Sequence, residues 1–132
     1  MEMVLDYKGG FEFTASSRGH SVTIDLPPAM KGEDKGMTPP ELFVASLASC
    51  VGMYVLFYCN GQNLPTEGMK IIANYEDSPE KPARIGKITL EICIPAGVPE
   101  EHRGPLMQMA HQCKVHNSIC TAPEIEMALA VD

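Results

Sequence analysis

Thr38-Pro-Pro-Glu-Leu-Phe-Val-Ala-Ser-Leu-Ala-Ser-Cys-Val-Gly-Met-Tyr-Val-Leu-Phe-Tyr-Cys59 is the stretch whose reading decides the fold. Thr38 can accept a hydrogen bond from the N–H three residues on, and Glu41 can reach back to the N–H of Thr38. Pro39 stands at the first helical position, where a missing N–H costs nothing. The stretch therefore predicts a helix opened by a capping box and stopped by Asn60-Gly61. Leu42 to Cys59 carries no charge and no face is consistently polar, so the helix is expected to be surrounded on all sides. An uncharged run of this length is at the lower edge for a membrane span. Ser46, Ser49 and Gly52 inside it, and Lys35 and Lys70 as its nearest basic residues, favour instead the central helix of a soluble protein, with no membrane partner. At about 20 residues it would be about 30 Å long, the width of a small domain. A chain this short is expected to need a second subunit to bury it.

Working outward, 132 residues with 45% hydrophobic content fit one globular domain, residues 1–132. The net charge of −7 and the scatter of the Lys and Arg residues argue against a nucleic-acid partner, which needs a basic face. The N-terminus starts with an acid and alternates, unlike a signal peptide, which places the chain in the cytoplasm. Five cysteines, an odd number in mostly apolar surroundings, do not resemble a secreted disulfide framework. In a reducing compartment they read as core, metal ligands or redox groups.

Alternation over Met3–Lys8, Phe11–Ala15 and Ser21–Asp25, with Gly9-Gly10 and Ser17 to His20 as turns, predicts a three-stranded meander. Leu26 to Gly36 is a loop leading to the long helix. Met69–Tyr75 and Ile85–Ile94, joined by a proline-containing turn, predict a hairpin. Pro99-Glu-Glu opens a second helix through Leu106, Met109, Ala110 and Cys113, with Cys113 near its end. The tail Ile125–Val131 alternates and is expected as a last strand. The sum is an α+β fold rather than a βαβ repeat.

Cys50 and Cys113 each fall on a predicted helix, and packing those helices together could bring the sulfurs into disulfide reach, which needs Cα atoms under about 7 Å apart. The alternative is that both are small core hydrophobes, the expectation also for Cys59 and Cys93. A reactive cysteine must be a thiolate, and an apolar helix interior raises its pKa, so Cys50 needs a cation from elsewhere. Arg18, in the early turn beside His20, is the candidate. It reads otherwise as a solvated turn residue. His111, Cys113, His116 and Cys120 fall within ten residues, a cluster that could be a zinc site. A Cys-x-x-Cys pair and a second cluster are absent.

Met37-Thr-Pro-Pro-Glu-Leu-Phe-Val-Ala-Ser-Leu-Ala-Ser-Cys50, followed by Cys113-Lys-Val-His-Asn-Ser and preceded by Arg18-Gly-His-Ser-Val-Thr-Ile-Asp25, resembles the OsmC/Ohr family of osmotically inducible and organic hydroperoxide resistance proteins. The resemblance implies antiparallel sheets around a long cysteine helix in an intertwined homodimer with sites at the subunit interface. It implies thiol peroxidase chemistry, with Cys50 peroxidatic, Cys113 resolving and Arg18 holding the thiolate. In the well-characterised reductases a glutamate directly follows the helix-opening proline and pairs with that arginine. Here Pro40 takes that place and Glu41 comes one position later, about 100° further round the helix. Cys113-Lys-Val-His also replaces their Cys-Pro pattern, which points to the broader OsmC-like branch.

The expected function is thus reduction of organic hydroperoxides through a Cys50 sulfenic acid and a Cys50–Cys113 disulfide, with an external dithiol as reductant and neither metal nor flavin. The rivals are a non-enzymatic dimer binding a small hydrophobic ligand, and a zinc protein using Cys113, His116 and Cys120.

Overall fold

A computed structural model describes residues 1–131. Its elements are β1 (Val4–Gly9), β2 (Glu12–Ser17), β3 (His20–Ile24), α1 (Pro39–Gly61), β4 (Lys70–Asp77), β5 (Ile85–Cys93), α2 (Arg103–Ala110) and α3 (Lys114–Cys120), with single 3-10 turns at Pro28–Met30 and Glu100–His102. The fold is α+β, as expected. The chain divides into two compact units, Met1–Ala45 and Ser46–Asp132.

The first unit is the antiparallel meander β1-β2-β3, with Tyr7 opposite Phe13 and Thr14 opposite Thr23. Gly9 and Gly10 take positive φ in the first turn, the backbone region that favours glycine. Between Ile24 and the helix the chain is organised by a residue that sequence reasoning treated only as a strand end. Asp25 is 2% exposed. Its carboxylate accepts hydrogen bonds from the backbone N–H groups of Leu26 at 2.7 Å, Lys35 at 3.1 Å and Glu33 at 3.3 Å. A buried acid is tolerated where donors replace its lost hydration. The loop closes on itself, and a Cβ at Gly32 would run into the Leu26 carbonyl. The capping box forms as read: Glu41 Oε1 accepts from the Thr38 N–H at 2.9 Å and Thr38 Oγ1 from the Glu41 N–H at 3.3 Å.

In the second unit, Leu47, Val51, Val55 and Cys59 of α1 cluster with Leu106, Ala110 and Cys113. A four-residue spacing keeps them on one side of the helix. The hairpin β4-β5 contributes Ile71, Ile88, Leu90 and Ile92 to the same cluster. Gly52 lets β4 come close, since a Cβ there would lie 3.1 Å from Ile71 Cδ1. By length and composition α1 could cross a membrane, yet this face is the core of the unit. The expectation of burial on every side is corrected for the single chain: Met53 and Phe57, on the opposite side, are 55% and 64% exposed.

Three further readings are corrected. α1 runs through Gly61, and the left-handed residue after it is Asn63, φ 54. Leu64 N–H bonds to Cys59 O at 2.9 Å and Asn63 N–H to Asn60 O at 3.4 Å, a Schellman closure in which asparagine serves because its short polar side chain tolerates this region. The second helix is two helices, because the chain turns at Gln112 and restarts at Cys113. The tail, residues 122–131, forms no strand. Its alternating Ile125, Met127, Leu129 and Val131 are 74 to 93% exposed. Alternation specifies a face to bury, but a strand also needs a neighbour for its backbone.

Candidate functional site

The site is built where α1 meets the start of α3. Cys50 stands on α1 among Leu47, Val51 and Tyr54, half-buried, while Cys113 is fully buried in the same cluster. Cys113 is the N-cap of α3: its Sγ accepts from the His116 N–H at 3.4 Å. The thiol does the work that serine or aspartate usually does in this position. The turn at Gln112 therefore aims both the Cys113 sulfur and the first N–H groups of α3 at Cys50.

The two thiols are neighbours, and each shifts the acidity of the other. Burial pushes the Cys50 thiol up. It is outweighed by the hydrogen bond from the Cys113 thiol, the N–H groups of Val115 and Lys114, and the Lys114 charge, so the net direction is down from the ordinary 9.0. Cys113 goes the other way. Burial and the neighbouring Cys50 raise it, against the N–H groups of His116 and Val115. Cys50 is thus the more acidic of the two thiols and Cys113 the less. The other cysteines are free as well, and Cys59 is simply buried, with its thiol pushed up by that burial.

The donors at Cys50 were not foreseen. Mid-helix position gives Cys50 no dipole end of its own, but α3 brings one to it. The only available signal was the Cys113-Lys-Val departure from Cys-Pro, since lysine supplies an N–H and a charge where proline has neither.

Arg18 and Glu41 belong to the first unit. Arg18 sits in the β2–β3 turn at φ 53, followed by Gly19 at φ 79. With His20, Ser16, Ser21 and Val22 it lines an open cavity of about 420 Å³. The Glu41 carboxylate is held by its own cap, the Thr38 N–H foremost, which keeps it below the ordinary carboxylate range against a small cost of burial. Among the described residues no three His, Cys, Asp or Glu side chains are grouped to hold a metal ion. Of the proposed zinc set, His116 Nε2 and Cys120 Sγ are 3.6 Å apart, while Cys113 is turned into the core.

The chain belongs to the OsmC-like proteins, whose family model matches residues 32–128. That stretch takes in Glu41, Cys50 and Cys113 and begins after Arg18. The fold is also that of solved structures of low sequence identity. One is a Psychrobacter arcticus protein described as an osmotic stress induced and detoxification response protein, 18% identical, TM-score 0.80, covering 88% of this chain and 85% of that one. A second is an OsmC like protein from Mycoplasma pneumoniae, 17% identical, TM-score 0.74, covering 92% and 87%. A third is the organic hydroperoxide resistance protein OhrB of Bacillus subtilis, 22% identical, TM-score 0.64, covering 89% and 90%. A comparison with curated proteins gave no match.

Proposed function

We propose that this protein reduces organic hydroperoxides in the cytoplasm through Cys50 and Cys113, in keeping with the resistance function for which similar structures are named. The observation that carries the reading is the placement of Cys113, fully buried at the start of α3, in the cluster against which Cys50 of α1 packs, and the opposite displacements of the two thiols support it. The Cys50 thiolate attacks the distal oxygen of the hydroperoxide. The O–O bond breaks, the alcohol leaves with a proton, and Cys50 becomes a sulfenic acid. Cys113 then attacks that sulfur, water leaves, and the disulfide is returned to two thiols by an external dithiol. The apolar neighbours of Cys50 favour alkyl peroxides. Arg18 is proposed to complete the anion's surroundings, and Glu41 to fix the start of the helix that carries Cys50.

One equivalent of an alkyl hydroperoxide should remove two thiols and leave a Cys50–Cys113 disulfide in the peptide map. Cys113→Ser should stop at the sulfenic acid, and Cys50→Ser should not react. No peroxide-dependent thiol loss in the parent would favour a binding module with an apolar pocket.

We further propose that the working form is a homodimer. The exposed Met53–Phe57 side of α1 and the apolar tail are surfaces that a second copy would cover, and separating the copies would unfold the chain. Sedimentation equilibrium should show only dimer at micromolar concentration. A folded monomer there would end this reading.

A further inference from the structure

We propose that Cys120 and His116 form a second, solvent-facing thiol site that takes up a low-molecular-weight disulfide. Cys120 is the last residue of α3 and is exposed, and His116 lies one turn before it, with Nε2 3.6 Å from the Cys120 sulfur. The free carbonyls at a helix C-terminus disfavour an anion, so a thiolate at Cys120 depends on a donor. His116 supplies it. Its Nδ1 is buried with no hydrogen-bond partner, and the His111 ring stands edge-on with centroids 5.9 Å apart. Nε2 is the ring nitrogen that faces the sulfur, and with the ring proton there it donates to it.

The thiol proton goes to solvent. The Cys120 thiolate attacks one sulfur of the disulfide, the S–S bond breaks, a mixed disulfide forms, and the leaving thiolate takes a proton from water. Cys113, at the other end of α3, is about 10 Å away along the axis, beyond disulfide reach while the helix is intact. The two thiol sites are therefore chemically separate, although His116 touches both: its backbone N–H meets Cys113 and its ring meets Cys120.

The test is intact mass and peptide mapping of the reduced protein in excess oxidised glutathione. One adduct at Cys120 is expected, in the parent and in Cys50→Ser alike, and none in Cys120→Ser. Oxidation of the buried pair adds no glutathione and is told apart by mass. His116→Phe keeps the ring but has no N–H, and should slow uptake about tenfold, the worth of one hydrogen bond to a charged group. His116→Gln restores a donor and should recover part of the rate. If His116→Phe unfolds, adducts appear on several cysteines and the Gln variant decides. A parent adduct on another cysteine, no adduct, or equal rates for parent and folded variants would overturn the proposal.

Discussion

Asp25 and Cys50 are two acidic groups whose acidity is raised in the same way, one in each unit, and their neighbours differ. Each is enclosed by backbone N–H groups that the chain folds back to supply. For Asp25 these are Leu26, Glu33 and Lys35, and for Cys50 they are Val115 and Lys114. The carboxylate, held below its usual range first by the Leu26 N–H and against its own desolvation, is ionised at any working pH and has no reactive neighbour. It fixes a loop. The thiol has two backbone N–H groups and a second thiol beside it, and under the proposed function it is the group that reacts. The same backbone device serves a loop in one unit and, under the proposed function, chemistry in the other.

The largest effect is expected at the structural centre. Asp25→Ala leaves three part-buried N–H groups without their acceptor, and the thermal midpoint should fall by about 5 °C or more. The acid limb should change too. Because the folded-state pKa lies below 3.8, the unfolded chain takes up the proton first as pH falls. The contribution of Asp25 is therefore full above that value and lost through the lower, folded pKa. Acid titration of Asp25→Asn should lack this loss below pH 4, and an unchanged acid limb would show that the carboxylate is not holding the loop.

A smaller and more selective effect is expected at the thiol centre. Lys114→Pro removes one N–H and one charge from Cys50 while keeping a residue suited to the first position of α3. Alkylation of Cys50 should slow at neutral pH, with parent and variant converging in alkali where both are thiolates. Lys114→Ala, which keeps the N–H, should fall between the two. Equal pH profiles for all three would remove Lys114 from the site and leave Arg18 as the remaining cation to test.

Much of this was readable before folding. The helix from Thr38, its cap, the meander and the hairpin follow from spacing, because caps and alternation are local and each residue's nearest partners lie within four positions. The two cysteines could be singled out, and the family resemblance assigned them roles. What failed was non-local. The alternating tail has the pattern of a strand, but pairing needs a second backbone that this chain does not place beside it. The break at Gln112 was missed because Cys113 was read as ending one helix when it caps the next.

The sequence by itself determined the meander, the hairpin and the long helix, where α1 begins, and which side chains can carry redox chemistry. Only the tertiary structure decided which thiol is the more acidic. That depends on the N–H groups of Lys114 and Val115 reaching Cys50 across 64 residues of chain. It also revealed Asp25, whose donors at Glu33 and Lys35 come from the far side of a loop. The physical reason is the same in both cases: local patterns fix backbone conformation, whereas the state of a buried ionisable group is set by whichever dipoles and charges folding brings within a hydrogen bond of it.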